Sequence, residues 1–397
     1  MVTLAQRLAT VVLVAIIVLG GTAACGGDAK PRLFSRLIFL SRQGGNYDIR
    51  LRTSNDRQPV ELGRVLPWDS QPVWSPDGAR IAFYSDRKFN LPDRDDNVDV
   101  YVMAANGTEL TRLTDEPATD AFPYWSPDAS RIAFYSERDG QGDVYVMNAD
   151  GSGVLRMTDD PALDIPYGWS PDGGRVLFTS GRNGNNLDLY SIEASGDGLK
   201  RLTRTEGHDV SARWSPDGTR IAFESTQNGN SEVFVVNADG SNQIDLTVRP
   251  LRDAYPEWSP NGVHLAFISD RTADMDVYVL DTEFSFLTAV TASPREDAWP
   301  AWSPDGTRIA LVSNRDFDRE IYLANADGTG QTRLTQDPGA DLSPAWSPDG
   351  SRLAFARYRN GRRDVYVINA DGSGLVRLTN DEGRAASASP KQEGNGE

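Results

Sequence analysis

Aspartate occurs at one fixed place in a pattern that recurs along the chain. Five residues before each of seven Trp-Ser-Pro tripeptides stands an aspartate: Asp69, Asp120, Asp164, Asp209, Asp253, Asp297 and Asp341. Carboxylates at one place of a repeat can form a ring that binds a cation. Alternatively, each can accept hydrogen bonds from its own turn or from an arginine; the arginines placed for this are Arg87, Arg138, Arg182, Arg271 and Arg315. Strict repetition favours the structural role, and the ring remains a candidate binding site.

Aromatic residues near these aspartates differ from one repeat to the next. They are Trp68, Phe122, Tyr167, Tyr255 and Trp299. We expect them on the same face as the aspartates, called the top face here. Because a binding site on a repeat fold is built from what differs between repeats, exposed aromatic residues beside acids predict a recognition surface. The alternative is that they fill gaps between repeats.

One segment resembles the start of a calcium-binding loop. Asp93, Asp95, Asn97 and Asp99 alternate with other residues, as oxygen ligands do in such loops. However, Val98 occupies the place of the glycine that makes the sharp turn, and no glutamate closes the loop. The segment is therefore predicted to be a solvated acidic loop, with calcium binding as the alternative, and no other cofactor is expected.

Composition excludes several kinds of site. The 397 residues include two histidines, His208 and His264, and one cysteine, Cys25, which leaves little material for a His-rich or Cys-built metal site or for disulfides. There are 40 Lys and Arg against 57 Asp and Glu, a net charge of -17. Without a basic cluster, this charge predicts no binding to nucleic acid. Hydrophobic residues at 39% fit an ordered globular chain.

The elements that position these residues belong to a repeat. Trp-Ser-Pro recurs at spacings of 51, 44, 45, 44, 44 and 44 residues. Each copy leads into an Asp-Gly turn or a variant of it, an apolar strand, a second strand, a turn such as Asn148-Ala149-Asp150-Gly151, and a short Arg-Leu-Thr strand. Four strands in about 44 residues are typical of a β-propeller blade. The sequence thus predicts an all-β propeller over residues 35–380, with each repeated tryptophan packed between neighbouring blades.

The number of blades depends on which element is counted. The apolar second strand starts eight times, at Leu37, Ile81, Ile132, Val176, Ile221, Leu265, Ile309 and Leu353, whereas Trp-Ser-Pro occurs seven times. Eight blades with an incomplete first one is the favoured prediction. Seven blades, with the leading strands completing the last one, is the alternative.

The chain begins with the features of a secretory signal. Arg7 precedes an apolar run from Leu8 to Leu19, which is too short to span a bilayer, and small residues lead to Cys25. This resembles the lipobox of bacterial lipoproteins, although Thr22 stands where leucine is usual. The prediction is a signal peptide (1–24), a lipidated Cys25 with a tether (25–34), and a disordered tail (381–397). Plain secretion or an uncleaved anchor are the alternatives.

The repeat is similar to that of the TolB-type β-propeller, a WD-repeat-like family. The resemblance rests on Trp-Ser-Pro-Asp-Gly, the Arg-Ile-Ala-Phe strand, Asp-Val-Tyr-Val, Asn-Ala-Asp-Gly and Arg-Leu-Thr. Propellers of prolyl-oligopeptidase-type peptidases and of oligogalacturonate-lyase-like proteins have similar repeats. The former resemblance implies a hydrolase domain for which the repeats leave no residues, and the latter a metal held by several histidines. The chain is therefore expected not to be an enzyme.

The resulting expectation is an extracytoplasmic, lipid-anchored scaffold in the cell envelope. It would bind an envelope protein or a glycan through its top face, as a monomer that touches the membrane only through its lipid. The alternative is an enzyme that acts on carbohydrate or peptide in the propeller channel.

Overall fold

The computed structural model describes strands and turns over most of the chain. The described residues are 36–43, 46–53, 60–63, 70–86, 98–184, 186–248, 251–272, 274–283, 285–359 and 362–379. Within these ranges, no helix suitable for crossing a bilayer occurs. Several predictions fall on residues outside the described ranges, namely the signal peptide, Cys25, Trp68, Asp69, Arg87, Asp93, Asp95, Asn97 and the tail 381–397.

Seven four-stranded antiparallel sheets follow one another in the described part of residues 70–377, each ordered as its strands occur in the chain. The strands are, in blade 1, β4 (Ser70–Trp74), β5 (Arg80–Ser85), β6 (Asp99–Ala104) and β7 (Thr111–Arg112); in blade 2, β8 (Asp120–Trp125), β9 (Arg131–Ser136), β10 (Asp143–Asn148) and β11 (Leu155–Arg156); in blade 3, β12 (Asp164–Trp169), β13 (Arg175–Ser180), β14 (Asp188–Glu193) and β15 (Lys200–Arg201); in blade 4, β16 (Asp209–Trp214), β17 (Arg220–Ser225), β18 (Glu232–Asn237) and β19 (Ile244–Asp245); in blade 5, β20 (Asp253–Trp258), β21 (His264–Ser269), β22 (Asp276–Asp281) and β23 (Leu287–Ala289); in blade 6, β24 (Asp297–Trp302), β25 (Arg308–Asp316), β26 (Asp318–Asn325) and β27 (Thr332–Arg333); and in blade 7, β28 (Ala340–Trp346), β29 (Arg352–Arg359), β30 (Arg362–Asn369) and β31 (Val376–Arg377).

Burial explains the composition of these strands. The second strand of a blade, such as β9, is buried from its second residue onward, because neighbouring blades cover both of its faces. Continuous apolar runs suit such strands better than strict alternation. The outermost strand has only two or three residues in each blade, which keeps the unpaired edge of the sheet short.

The Trp-Ser-Pro segment joins the first strand of each blade to the second by a hydrogen-bonded turn. In blade 2, the Ser126 hydroxyl donates to Asp128 (2.5 Å) and accepts from the Arg131 amide (2.9 Å). Ala129, the fourth residue of the turn that begins at Ser126, has a φ of +56°, where the other six blades have glycine. Serine and aspartate are thus conformational requirements of the turn.

The innermost strands of most blades carry a β-bulge. The residues with positive φ stand two places after the aspartate position, with φ between 48° and 55°: Gln71, Phe122, Ser211, Tyr255, Trp299 and Ser343. Pairing with the second strand is interrupted at this place, for example between Ala121 and Tyr124. A positive φ is uncommon for residues other than glycine, and a bulge is a usual setting for it. Blade 3 differs, because its bulge lies between Pro166 and Gly168.

The repeated tryptophans pack between blades, as expected. The Trp125 indole Nε1 donates to the Val73 carbonyl of blade 1 (3.2 Å), and Arg80 of blade 1 lies over the Trp125 ring at 4.5 Å. Equivalent indole bonds are made by Trp74, Trp169, Trp258, Trp302 and Trp346.

The ring closes between blade 7 and blade 1. Trp74 of blade 1 donates to the Ala345 carbonyl of blade 7 (3.2 Å), and both blades contribute to one core cluster, which includes Ile81 and Val365. The described propeller therefore has seven blades. The favoured prediction of eight was wrong. The alternative count of seven is confirmed, although the expectation that the leading strands complete the last blade was wrong.

The leading strands explain the miscount. β1 (Arg36–Gln43), β2 (Asn46–Thr53) and β3 (Val60–Gly63) form a three-stranded antiparallel sheet of their own, in a separate unit that comprises residues 1–66. Blade 7 is complete without them, since it has four strands of its own. The apolar strand that starts near Leu37 thus has the sequence pattern of a second blade strand but belongs to this separate sheet.

Candidate functional site

The described aspartates of the predicted ring are buried within their blades. Asp120, Asp164, Asp209, Asp253, Asp297 and Asp341 have no exposed surface. Five of them form ion pairs with arginines near the end of the second strand: Asp120–Arg138 (3.1 Å), Asp164–Arg182 (2.6 Å), Asp253–Arg271 (2.9 Å), Asp297–Arg315 (3.1 Å) and Asp341–Arg357 (2.6 Å). These carboxylates therefore connect the strands of a blade, and a ligand does not reach them without displacing an arginine.

A second row of buried acids connects neighbouring blades on the top face. In blade 2, Asp143 pairs with Arg156 at 2.7 Å and accepts from the Thr158 hydroxyl at 3.0 Å, and Thr158 also bonds Asp164 of blade 3. Asp99, the described member of the calcium-like motif, occupies the same place in blade 1 and pairs with Arg112 at 2.7 Å. Burial raises the pKa of Asp99 to about 6. No cluster of three metal-ligating side chains occurs in the described ranges.

The described top-face aromatic residues lie at similar places in their blades, but their surroundings differ. Phe122 makes edge contacts with Tyr84 (5.6 Å) and Tyr135 (6.1 Å). Tyr255 is 41% exposed, whereas Trp299 is half-buried beneath Arg319, which lies 5.6 Å from its ring. Phe122, Tyr255 and Trp299 are bulge residues of three inner strands. They therefore share a structural place that the sequence pattern alone did not indicate.

The residue directly before each repeated tryptophan has the same place on the innermost strand of its blade, and these strands contact one another around the ring. From blade 1 to blade 7 these residues are Val73, Tyr124, Gly168, Arg213, Glu257, Ala301 and Ala345. Tyr124 of blade 2 interacts electrostatically with Arg213 of blade 4 and Glu257 of blade 5. Side chains of blades that are not adjacent in the ring come together across its axis.

An ion pair holds two of these side chains in the channel wall. Arg213 Nε donates to Glu257 Oε2 at 2.9 Å, and both side chains are a little over one third exposed. Burial has the largest single effect on the pKa of Arg213 and lowers it, but the charge and hydrogen bond of Glu257 together with the nearby Tyr124 and Tyr167 produce a net upward shift. The guanidinium therefore remains charged, with part of its surface available to a ligand.

Two tyrosines complete this side of the channel. Burial raises the pKa of Tyr124, and it raises that of Tyr167 to about 12, so both phenols remain neutral hydrogen-bonding groups at physiological pH. Tyr167 is bonded to the Ser211 backbone and interacts with Tyr124 and Arg213. We call Tyr124, Tyr167, Gly168, Arg213 and Glu257 the channel cluster.

The channel is asymmetric. Blades 2 to 5 contribute the channel cluster, whereas the residues directly before the tryptophan in blades 6, 7 and 1 are the small apolar Ala301, Ala345 and Val73. A few convergent charged and phenolic groups together with small apolar residues are the usual composition of a ligand site.

Of the channel cluster, the sequence analysis identified only Tyr167. The missed signal lies in the place before Trp-Ser-Pro, where the residue type varies from valine to arginine and glutamate. The same reasoning that selected the top-face aromatics, that variation between repeats marks a site, applies to this place as well.

The histidines have other roles. The His208 ring accepts from the Leu187 amide at 3.2 Å, and His264 lies 3.7 Å from Asp281 and 6.4 Å from the Trp302 ring. Throughout the described part of the chain, neither ring is bonded to a serine, threonine or cysteine side chain, so no nucleophile–base pair is formed there.

A family model described as the TolB beta propeller domain matches residues 159–298 and 251–396, which together cover more than half of the chain. A second model, the Tricorn protease N-terminal beta propeller domain, matches residues 97–187. Among curated proteins, the uncharacterized peptidase YuxL of Bacillus subtilis is 37% identical over 79 residues, which are 18% of this chain and 11% of YuxL. The match therefore spans about a tenth of that relative.

Two solved structures illustrate the range of proteins with this fold. A puromycin-hydrolyzing peptidase of Mycobacterium tuberculosis has a TM-score of 0.65 at 14% identity, covering 81% of this chain and 54% of the peptidase. An oligogalacturonate lyase of Vibrio parahaemolyticus has a TM-score of 0.59 at 15% identity, covering 84% of this chain and 96% of the lyase. At these identities, the likeness concerns the fold.

These comparisons correct the expectation that the chain is not an enzyme. That expectation assumed that a propeller without a hydrolase domain or a histidine cluster has no reaction to catalyse. However, the curated relative and one of the similar structures are peptidases, and a lyase is covered over 96% of its length. By its match to the family model, the chain belongs to the TolB-type β-propeller family.

Proposed function

We propose that the protein takes part in peptide processing and that the channel cluster binds the peptide. The observation that carries this proposal is the Arg213–Glu257 pair beside the phenols of Tyr124 and Tyr167, contributed by four blades. Here the described residues bind and orient the peptide, and bond cleavage is assigned to none of them.

The chemistry of the cluster suits a peptide. A peptide has amide donors and acceptors at regular intervals and charges of both signs at its termini. Phenols donate to and accept from amides, Arg213 can bind a carboxylate, and Glu257 can bind an ammonium group. An acidic sugar chain would require excess positive charge, whereas the charge of Arg213 is balanced by Glu257 at 2.9 Å.

The similarity to peptidases also supports a role in peptide processing. The exposed Tyr255 and the half-buried Phe122 and Trp299 precede the channel residues on the inner strands. We place the remainder of a bound peptide against these aromatic residues of the top face.

The proposed location is outside the cytoplasm, with the chain attached to a membrane through a lipid on Cys25. This proposal rests on the apolar run from Leu8 to Leu19 and on the position of Cys25 directly after it. There the peptide would come from an envelope or extracellular protein.

Calorimetry with a synthetic pool of short peptides tests the proposal, with galacturonan oligomers as the competing ligand class. Mass spectrometry of the same mixtures detects cleavage. Arg213→Gln should abolish peptide binding, and Arg359→Gln should leave it unchanged, because Arg359 is exposed on the blade 7 hairpin. Preferential binding of the galacturonan, or peptide binding that survives Arg213→Gln, would contradict the proposal.

A further inference from the structure

Blade 4 lacks the indole bond that joins the other blades to their neighbours. Trp214 is half-buried, whereas the other Trp-Ser-Pro tryptophans are 6–8% exposed. Its Nε1 is buried and has no acceptor among the described residues. By analogy with Trp169, which donates to the Tyr124 carbonyl, the acceptor for Trp214 should be the carbonyl of Gly168.

The backbone of blade 3 explains the missing acceptor. In the other blades, the bulge residue with positive φ lies three places before the tryptophan. In blade 3 it is Gly168 itself, directly before Trp169, and its φ is +112°. The bulge therefore lies two residues later and changes the direction of the peptide group that should accept from Trp214.

The arginine that should cover Trp214 is also bound elsewhere. In other blades, an arginine at the start of the second strand lies over the tryptophan of the next blade: Arg80, Arg131, Arg220, Arg308 and Arg352. Arg175 instead donates to the Ser191 hydroxyl (3.0 Å) and carbonyl (3.2 Å) and pairs with Glu193 (3.3 Å), all within blade 3. Ser191 stands where the other third strands have valine or leucine, and its hydroxyl binds Arg175.

A third difference lies at the top of the same interface. Asp209 is fully buried, but Gln227 occupies the place of the arginine that pairs with the equivalent aspartate in blades 2, 3, 5 and 6. The Thr205 hydroxyl lies 3.0 Å from the Asp209 carboxylate, and the negative charge of Asp188 in blade 3 faces it. Asp209 therefore lacks the ion pair that joins the first two strands in those blades, and hydroxyl groups, including that of Thr205, bond its carboxylate instead.

We infer that the propeller ring opens at the interface between blades 3 and 4. Apolar packing, including Leu177, and the bond from the Thr179 hydroxyl to the Asp209 carbonyl (2.8 Å) hold this interface together at rest. Two interactions that strengthen other interfaces are missing among the described residues here, namely the indole hydrogen bond and the arginine over the tryptophan ring. Opening here separates Gly168 on β12 from Arg213 on β16 and thereby exposes the channel cluster from the side. The inference that the ligand enters through this opening rests on the proposed function. The inference that the ring opens here does not depend on it.

Hydrogen exchange on the intact chain tests the opening. An interface hydrogen bond contributes about 1 kcal/mol and a cation–π contact about 0.5–2 kcal/mol. The amides of β16 should therefore exchange at least about tenfold faster than those of β8, β20 and β24. Equal protection of these four inner strands would overturn the inference.

A restoring variant provides a test that does not depend on damaging the fold. Ser191→Val combined with Gln227→Arg gives blades 3 and 4 the residue types found elsewhere in the ring. Arg175 should then lie over Trp214, and the guanidinium introduced at position 227 should pair with Asp209, which slows β16 exchange toward that of the other inner strands. The reciprocal variant, Val146→Ser in blade 2, should attract Arg131 away from Trp169 and accelerate exchange in β12. Unchanged β16 exchange in the restoring variant would overturn the inference.

The entry role has its own readout. The test uses a peptide from the pool that binds the wild-type protein. The restoring variant should lower the association rate of this peptide about tenfold, whereas its affinity should change much less. If β16 exchange slows and the association rate does not change, the ring opens here but the ligand enters elsewhere. That result would overturn the entry role and leave both the opening and peptide binding in place.

Discussion

Tyr124 of blade 2 packs against the backbone of Gly168 in blade 3. A Cβ added to Gly168 would lie 3.3 Å from Cδ1 of the Tyr124 ring, and the glycine φ is +112°. Tyr124 therefore extends along the channel wall toward Arg213 because the residue beside it has no side chain. The position of one phenol in the candidate site thus depends on a glycine in the next blade.

We expect Gly168→Ala to weaken peptide binding about tenfold or more by displacing the Tyr124 ring. The alanine would also be strained at positive φ, which costs about 1–2 kcal/mol of folding free energy. Gly140→Ala is the matched control, because Gly140 has a φ of +90° and no atom within 4 Å of an added Cβ. The control should lose similar stability and retain binding, as measured by calorimetry and urea unfolding. Equal binding by both variants would exclude a role for Tyr124.

Exchanging the charges of the channel ion pair separates binding from stability. Because Arg213 and Glu257 are each over one third exposed, the pair should contribute less than about 1 kcal/mol to folding. Arg213→Glu combined with Glu257→Arg should retain that contribution but reverse the direction of the charges, and peptide binding should be lost. A doubly exchanged variant with normal affinity would show that the ligand does not contact the pair.

The fold was largely predictable because a propeller repeats its local chemistry. Trp-Ser-Pro-Asp-Gly specifies one hydrogen-bonded turn, as at Ser126 and Asp128, and recurrence of this turn identifies the blades. The count failed because an apolar strand near Leu37 matches the pattern of a second strand. An inner strand with its tryptophan is a stricter criterion, since it makes the contact with the preceding blade.

The candidate site was less predictable because it depends on backbone geometry. The bulges at Phe122 and Gly168 interrupt strand pairing and so change the alternation of side chains along the innermost strands. Neither is evident from a strand pattern that assumes strict alternation. Arg213 and Glu257 come together across two blades, which requires the curvature of the ring as well as its sequence.

We expect Asp209 to make stability depend on pH. Burial raises its pKa to about 6, against about 3.9 in an unfolded chain. Between these values the folded state binds more protons than the unfolded state, so the free energy of unfolding falls as pH rises from about 4 to 6. Asp209→Asn should therefore raise stability by about 2 kcal/mol at pH 7 and change it little near pH 4.

Asp164→Asn is the control for this measurement. It removes the partner of Arg182, which lies 2.6 Å away, and should lower stability at pH 7, since a partly buried charge loses its counterion. Urea unfolding at a series of pH values compares the two variants. If Asp209→Asn lowers stability at pH 7, its carboxylate is ionised and satisfied in the folded protein.

The proposed anchor gives a prediction in cells. Cys25 is the one cysteine of the sequence and follows the apolar run directly, so Cys25→Ser should move the protein from the membrane fraction to the soluble fraction. Immunoblots of fractionated cells measure this, with Ser35→Ala as the control. A Cys25→Ser protein that is processed normally and stays with the membrane would contradict lipid attachment.

In the described part of the chain, Trp214 lies at an interface without the indole bond, whereas Trp258 lies at one that has it. We therefore expect the two tryptophan-to-alanine substitutions to lower the free energy of unfolding by different amounts. Trp258 is 6% exposed, donates to the Arg213 carbonyl at 3.2 Å and lies under Arg220 at 4.7 Å. Trp258→Ala should therefore cost about 3–5 kcal/mol, as for other buried aromatic residues. Trp214 is half-buried and, within the described residues, makes neither polar interaction, so Trp214→Ala should cost about 1–2 kcal/mol less. Urea unfolding of both variants at one pH gives the comparison. Equal losses would mean that blade 4 is held as firmly as blade 5, in conflict with an opening at the interface between blades 3 and 4.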